Sequence, residues 1–288
     1  MVKFICYNWM PTVANHVLDM PREEYFKAGV TPLHNRENFN PYHVKDDDLI
    51  FVKTDFIVNG KFQREYLNKI YKRFNIITGV SSYNLGRDGG DIYKYVLEHP
   101  NLNKWFCTNP PNIESNKIVP LPIGFEEPSR VGGNQKMLES IFNSRTPREE
   151  KKDKILLPYH NMSTNQERQA LYNSLKELSF VEYQDTSLPV EKYLKLLDKY
   201  KFTICLAGRG PDIHRNYEAM LVGSIPINID GPTKKVFDYH KASAVFLDSW
   251  NSLNENLFNN LLKTEYNIEN NDEFLKLENH ISTIGDLI

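Results

Sequence analysis

The chain has 288 residues, of which 40% are hydrophobic and 12% aromatic, and a net charge of −2 from 35 Lys and Arg against 37 Asp and Glu residues. A chain of this length and composition can bury one large core or two smaller ones, so we predict a globular protein. The near-neutral balance excludes an extended basic surface for nucleic acid or for an anionic membrane. Any anion-binding site must be local.

The sequence favours a cytoplasmic protein without an integral membrane segment. The first residues, MVKFICYNWM, do not show the basic, apolar and small-residue regions of a signal peptide. No later run reaches the roughly 18 apolar residues of a membrane span. Cys6, Cys107 and Cys205 lie far apart in short apolar runs without a CxxC motif. This arrangement favours buried, reduced thiols over disulfides or a zinc site.

Short apolar runs in the first half of the chain alternate with helical segments. The runs predict β-strands over residues 3–7, 49–53, 75–79, 105–108 and 118–123. Apolar residues with helical spacing predict helices over 62–74 and 91–98. Strands that alternate with helices favour a parallel sheet with helices on both faces.

The turn-rich and charged sequences EEPSRVGGNQ and RTPREEKKDK interrupt this rhythm and indicate a domain boundary. We predict an N-terminal domain over 1–125, a linker over 126–153 and a C-terminal domain over 154–270. A C-terminal helix over 271–288 could pack back on the first domain.

The second half repeats the alternation of strands and helices. Strands are predicted from 154 and over 180–183, 202–206, 225–229 and 244–247. Helices are predicted over 165–178 and 190–200, near 213 and from 272. The fold class is therefore α/β, with two Rossmann-like domains that face a central cleft, and ligands should bind at the carboxyl ends of the strands.

The stretch KFTICLAGRGPDIHRNYEAMLVGSIPINI, residues 201–229, combines a strand, a glycine loop, a short helix and a second strand. Gly208 and Gly210 allow the backbone to approach a ligand closely, and Asp212 is predicted to cap the helix. A helix N-terminus after such a loop favours an anion. Arg209 and Arg215 can add charge-assisted hydrogen bonds, so the pattern predicts a phosphate site.

Glu218 follows Arg215 by three residues and shares its helix face. A carboxylate that accepts hydrogen bonds from two vicinal hydroxyls is how dinucleotide-binding folds hold ribose. Phosphate and ribose together indicate a nucleotide. The same spacing also fits a surface ion pair between the two side chains.

A second candidate anion site lies in PYHNMSTNQERQALY. Ser163 and Thr164 can cap a helix there, and Arg168 lies one turn inside it. The alternative is a capped surface helix with a solvated arginine. The two loops follow strands of one predicted sheet and should meet at one edge of it.

The stretch 201–229 resembles the signature of exostosin-like glycosyltransferases, with a G-x-G-x-D-x-x-R turn and an E-A-x-x-x-G-x-I-P helix and strand. KWFCTNPPN and KIVPLPIGFE resemble the segment that closes the N-terminal domain in that family. Small soluble members from bacteria and large DNA viruses are similar in size. The resemblance implies the GT-B fold and sugar transfer from a nucleoside diphosphate sugar to a carbohydrate acceptor, with a UDP-sugar favoured over a GDP-sugar. It implies no required metal or other cofactor.

The resemblance assigns roles in donor binding. Arg215 and Arg168 would neutralise the diphosphate, and Glu218 would hold the ribose. The remaining candidate donor contacts are Ser163, Thr164, Tyr183, Gly208, Arg209 and Gly210.

The family is expected to invert the anomeric centre, which requires a base. No acidic residue stands in ITGVSSYN, where the family pattern leads us to expect one. Asp88 is the first candidate, Asp55 the second and His16 the third. Each also has a structural interpretation, as a turn residue, a helix cap and a surface side chain.

The acidic triplet 46–48 precedes its strand, so a solvated turn is favoured over a metal site. The resemblance thus implies a metal-independent hexosyl- or pentosyltransferase. The main alternative is a non-catalytic module that binds a nucleotide sugar or a glycan. A Rossmann methyltransferase is the third class, and it has no use for paired arginines.

Overall fold

A computed structural model describes residues 3–20 and 39–288, and the chain divides into two compact units. The N-terminal unit comprises Tyr7–Ile123 with Glu278–Ile288, and the C-terminal unit comprises Gly124–Leu277 with Met1–Cys6. Each unit contains a parallel sheet of five strands. The architecture is α/β and is compatible with two Rossmann-like domains.

The N-terminal unit has its strands in chain order across the sheet. They are β1 (His16–Leu18), β2 (Asp48–Lys53), β3 (Phe74–Gly79), β4 (Leu102–Cys107) and β5 (Ile118–Pro120). Its helices before the last strand are α1 (Met10–Val13), α2 (Thr54–Val58), α3 (Lys61–Glu65), α4 (Leu85–Gly89) and α5 (Ile92–Leu97). All six residues of β3 are buried, as expected for a central strand covered on both faces.

The C-terminal unit has the strand order β10-β9-β8-β6-β7. The strands are β6 (Lys152–Leu157), β7 (Val181–Tyr183), β8 (Tyr200–Ile204), β9 (Ile225–Ile229) and β10 (Val245–Leu247). The helices from residue 135 onward are α6 (Gln135–Asn143), α7 (Arg168–Leu175), α8 (Val190–Leu197), α9 (His214–Leu221), α10 (Pro232–Tyr239), α11 (Glu255–Lys263), α12 (Ile268–Phe274) and α13 (Leu277–Gly285). The last helix continues into the residues assigned to the N-terminal unit.

Two sequence-based elements differ from the structure. The predicted strand over 3–7 is reduced to single bridges, from Phe4 to Lys276 and from Cys6 to Phe125, within the C-terminal unit. The predicted helix over 62–74 ends at Glu65 and is followed by a 3-10 turn, and Tyr71 is 72% exposed. In both segments the spacing of apolar residues fits a regular strand or helix. The backbone conformation there is decided instead by contacts with residues distant in sequence.

The segment 126–153 lies inside the C-terminal unit. It contains α6 and the beginning of β6. Arg145 makes two hydrogen bonds to Asp272 at 2.6 and 2.7 Å, which join this segment to α12. Charge and turn residues therefore mark a connection that is packed within its unit.

The strand order identifies where a ligand should bind in the C-terminal unit. From β6 the chain moves to β7 on one side, and it then returns across β6 to β8 and continues to β10. The direction reverses between β6 and β8, and such a switch point leaves a crevice at the carboxyl ends of the two strands. The described strands of the N-terminal unit follow one direction without a reversal.

The backbone at Gly223 provides a test of the turn between α9 and β9. Its φ angle is +72°, and a Cβ there would meet Lys151 and Arg145 only at 3.8 and 3.9 Å. Gly223→Ala should therefore lower the free energy of unfolding by about 1 kcal/mol through backbone strain alone. Urea denaturation measures the change.

The matched control is Gly285→Ala, at the end of α13, where a Cβ has open space around it. Alanine should raise the stability there by roughly 0.5 kcal/mol. Equal effects of the two substitutions would contradict the role of the left-handed conformation at Gly223.

Candidate functional site

The loops after β6 and β8 meet at the switch point of the C-terminal unit. Arg168 and His160 bond from the first loop region to the second, and Arg215 bonds back to the first. The two predicted anion-binding segments are thus brought together at one edge of the sheet. The structure gives each of these side chains a different set of partners.

Arg168 is the first residue of α7 and is only 7% exposed. Its Nε donates to the carbonyl oxygen of Ala207 at 2.9 Å, and its Nη2 donates to that of Leu206 at 2.8 Å. Its Nη1 donates to the carbonyl oxygen of Asn161 at 2.9 Å and to the hydroxyl of Thr164. All four acceptors are uncharged, and among the described residues no carboxylate oxygen lies within 4.0 Å of this guanidinium.

The surroundings of Arg168 disfavour the positive charge of its guanidinium. Burial, and then the positive charge of Arg215, lower the pKa of Arg168 to about 10. A guanidinium has five N–H donors, and the four bonds described above leave one of them on Nη2 without an acceptor in the described residues. An anion at this position would relieve the repulsion and accept the remaining N–H.

Arg215 is the second residue of α9 and is partly buried. Its Nε donates to the hydroxyl of Tyr193 at 2.8 Å, and its Nη2 donates to the carbonyl oxygen of Tyr159 at 2.9 Å. The guanidinium also lies 5.4 Å from the centre of the Tyr193 ring. The other N–H donors of Arg215 have no acceptor among the described residues.

Glu218 is connected to Arg215 through Tyr193, whose hydroxyl donates to Glu218 Oε2 at 3.0 Å. The direct ion pair that the spacing allowed is not formed. Burial raises the pKa of Tyr193 well above its usual value, so the hydroxyl stays protonated and can donate to the carboxylate. Tyr193 lies on α8, and no local pattern in the sequence pointed to it.

His160 is buried, with 1% of its surface exposed, and it is close enough to both arginines to feel their charges. Its Nε2 accepts from the backbone N–H of Leu206 at 3.2 Å, so Nδ1 carries the proton and donates to the carbonyl oxygen of Pro158 at 2.7 Å. Burial, followed by the positive charges of Arg215 and Arg168, holds the pKa of His160 well below its usual range. The imidazole is therefore neutral, and it was not identified from the sequence.

The glycine loop leaves room beside Arg168. A Cβ at Gly208 would lie 3.2 Å from Arg168 Nη2, and the N–H of Gly208 donates to the carbonyl oxygen of Gly210 at 3.1 Å. Arg209 is exposed in this loop. A side chain at position 208 would crowd the guanidinium that the loop faces.

Three predicted helix caps are wrong. Ile213 is the N-cap residue of α9, and Asp212 instead accepts from the side chains of Asn216 and Tyr217. Ser163 and Thr164 lie in a 3-10 turn ahead of α7, whose N-cap residue is Glu167. The cause is the same in each segment, since the helix begins later than the polar residue that was predicted to cap it.

A cavity of about 400 Å³ opens at the carboxyl ends of β8, β9 and β10, with Arg168 in its wall. Asn228, Asp230 and Asp248 contribute polar groups to it. The predicted contact Tyr183 lies elsewhere, at the end of β7, and is 49% exposed. Arg168 therefore belongs both to the switch point and to the cavity.

The three candidates for the base lie in the N-terminal unit in different surroundings. Asp88 accepts two hydrogen bonds from Arg87 at 2.9 and 2.8 Å and one from the N–H of Asn84 at 2.7 Å. Burial alone would raise the pKa of Asp88, but these hydrogen bonds lower it below the usual value. Because Asn84 caps α4, these contacts give Asp88 a structural role at the start of that helix.

His16 begins β1 and lies at the amino end of the sheet, where its Nε2 contacts Asp48 Oδ2 at 2.8 Å. Asp46 and Asp47 contact Lys72 and Arg73 at 3.2 and 2.6 Å. The acidic triplet is thus paired with basic side chains of its own unit. In the described residues no group of three or more His, Cys, Asp or Glu side chains is arranged to hold a metal ion.

Asp55 lies at the carboxyl edge, as the second residue of α2 directly after β2. Its Oδ2 is buried and has no hydrogen-bond partner in the described part of the chain. The neighbouring strands β3 and β4 are followed by Val80 and Asn109, with φ angles of +55° and +47°. Positive φ costs about 1 to 3 kcal/mol at such residues and is concentrated at functional sites.

Comparison with known proteins gives little further information. No family model matches the sequence, and no curated protein matches it significantly. Among solved structures, a chain in the crystal structure of GtfA/B complex is 10% identical, with a TM-score of 0.43. The match covers 85% of this chain and 57% of that chain. A likeness at this level carries no argument about function.

None of the described helices is long and apolar enough to cross a membrane.

The neutral state of His160 predicts a pH dependence of stability. Its pKa in the folded protein lies below the unfolded value of 6.5, so the unfolded chain binds a proton first as the pH falls. This group therefore lowers the free energy of unfolding below pH 6.5, by up to about 1.4 kcal/mol per pH unit. His160→Gln places an amide oxygen that can accept from the N–H of Leu206 and removes the titration, so its stability should decline less between pH 7 and pH 5.

Urea denaturation across this pH range measures the difference, with His43→Gln as a control at an exposed histidine. Identical slopes for wild type and His160→Gln would mean that His160 is not held neutral.

Proposed function

We propose that this protein is a glycosyltransferase that moves a sugar from a nucleoside diphosphate sugar to a carbohydrate hydroxyl. The observation that carries the proposal is the pair of cations at the switch point, Arg168 and Arg215, neither of which has a carboxylate partner within 4.0 Å in the described residues. In the described residues Arg168 has one N–H donor left over and Arg215 has three. A diphosphate supplies the negative charge and the oxygens that these groups require.

Glu218 favours a nucleotide over an inorganic anion. It lies one helix turn after Arg215 and is held by the Tyr193 hydroxyl at 3.0 Å. A carboxylate at this distance along the helix can accept hydrogen bonds from ribose while Arg215 binds phosphate. This is the role that the resemblance to exostosin-like glycosyltransferases implies.

The proposed reaction inverts the anomeric carbon. The acceptor oxygen forms a bond to that carbon, the bond to the diphosphate oxygen breaks, and the diphosphate leaves with the electron pair. Arg168 and Arg215 stabilise the charge that develops on the leaving group, which takes the place of a metal ion. The acceptor proton passes to a base, for which Asp55 is now the first choice, since Asp88 is engaged by Arg87 and Asn84.

Arg215→Ala tests the phosphate assignment. The substitution should weaken binding of UDP or GDP by roughly 10- to 100-fold, since a charge-assisted hydrogen bond contributes about 1.5 to 3 kcal/mol. Isothermal titration calorimetry measures the dissociation constants. Arg130→Ala is the control, at an exposed arginine of the same unit. Equal affinities of Arg215→Ala and wild type would refute the assignment.

Asp55→Asn tests the role of the base. Release of free nucleoside diphosphate from a panel of UDP- and GDP-sugars with carbohydrate acceptors should fall at least about 100-fold in kcat. The affinity for the nucleotide should stay unchanged. Asp91→Asn, at an exposed aspartate of the same unit, is the control and should keep full turnover. Tight binding without release by the wild type, with every donor and acceptor, would indicate a non-catalytic module instead.

A further inference from the structure

The cavity at the carboxyl ends of β8, β9 and β10 contains a buried amide that lacks a partner. Asn228 is 4% exposed and lines the cavity, and its Nδ2 is buried without a hydrogen-bond partner in the described residues. A buried N–H donor destabilises a fold unless an acceptor reaches it. The cavity wall therefore has a donor suited to an oxygen atom of a ligand.

The charges in the wall are mainly negative. Glu167, Asp230 and Asp248 face the single guanidinium of Arg168 among the lining residues. Asp230 and Asp248 are exposed, and in the described residues their carboxylates have no hydrogen-bond partner and no cation within 4.0 Å. Carboxylates accept hydrogen bonds from hydroxyl groups, and they repel a second carboxylate.

The position of the cavity relates it to the diphosphate. Arg168 bonds to Leu206 and Ala207 after β8, and Asp248 and Trp250 follow β10. Two strand spacings separate β8 from β10, which is about 10 Å. A pyranose linked to a phosphate on Arg168 fits this span. The partly buried indole of Trp250, which packs against the core, offers an apolar surface to the sugar ring.

We infer that this cavity holds the sugar of the donor and selects an uncharged sugar over a uronic acid. The inference rests on the proposed function, since it takes the diphosphate to lie against Arg168. Asn228 donates to a ring or hydroxyl oxygen, and the aspartates accept from hydroxyls. The carboxylate of a uronic acid would meet Asp230 and Asp248 and be repelled.

The preference for an uncharged sugar is tested with UDP-glucose and UDP-glucuronate, whose donor sugars differ only in the oxidation of one carbon. UDP serves as the reference ligand without a donor sugar. Titration calorimetry with the wild type should give a dissociation constant about tenfold or more lower for UDP-glucose than for UDP-glucuronate. The double variant Asp230→Asn, Asp248→Asn should reduce that preference to below about threefold and leave UDP affinity unchanged. If the protein binds GDP instead, GDP-mannose and GDP-mannuronate form the same pair.

Asp238→Asn is the charge control, because Asp238 is exposed on α10 and pairs with Lys234 at 2.6 Å outside the cavity wall. It should keep the full preference of the wild type. Asn228→Leu removes the buried donor and replaces it with an apolar side chain. Its melting temperature without ligand should not fall, and the ratio of the dissociation constants for UDP-glucose and UDP should rise about tenfold.

The outcomes separate the two proposals. Absence of binding to any nucleotide would overturn the proposed function and this inference with it. Binding of UDP with equal affinity for both nucleotide sugars would overturn the inference alone. Loss of UDP affinity in the cavity variants would mean that the base or the ribose occupies the cavity, and this also overturns the inference.

Discussion

The C-terminal unit depends on a buried guanidinium without a counterion. Arg168 joins the loops after β6 and β8 by hydrogen bonds to uncharged oxygens. Burying a charged group away from water costs several kcal/mol unless other interactions compensate for the lost hydration. Carbonyl dipoles compensate it in part. A side chain that only links two loops needs hydrogen-bond donors but no charge. The nearby positive charge of Arg215 makes the charged form of Arg168 still less favourable. An anion bound at this position would offset that cost.

The groups around the arginines keep that positive charge available. His160 stays neutral, because burial and the positive charges of Arg215 and Arg168 disfavour its protonation and its Nε2 accepts from the N–H of Leu206. The Tyr193 hydroxyl accepts from Arg215 Nε and donates to Glu218 Oε2, so it bridges two side chains that form no direct ion pair. Glu218 is thus left as a carboxylate that is oriented by one hydrogen bond. This pair of cations and the oriented carboxylate are the basis on which a nucleoside diphosphate is proposed as the ligand.

The sequence predicted correctly those features whose conformation depends on residues nearby in the chain. The strand at Ile225–Ile229 and the left-handed Gly223 were confirmed, because a continuous apolar run and a glycine after a helix depend on neighbours in sequence. The cap at Asp212 was wrong, since contacts with Asn216 and Tyr217 override it. His160 and Tyr193 acquire their roles from partners about 20 to 50 residues away, and spacing along one chain does not encode such contacts.

The N-terminal unit differs from the C-terminal unit in its strand order and in the backbone at its carboxyl edge. Its described strands follow one direction across the sheet, without the reversal seen between β6 and β8. Its carboxyl edge has positive φ angles at Val80 and Asn109, after β3 and β4, and a buried Oδ2 of Asp55 without a partner in the described residues. The hydroxyl of Thr54 bonds to the carbonyl oxygen of Gly79 at 3.3 Å and fixes the start of α2 against this strained turn. Asp55 thus keeps one carboxylate oxygen without a hydrogen-bond partner in the described residues, whereas both oxygens of Asp88 are occupied. This difference is the reason that Asp55 precedes Asp88 as the proposed base.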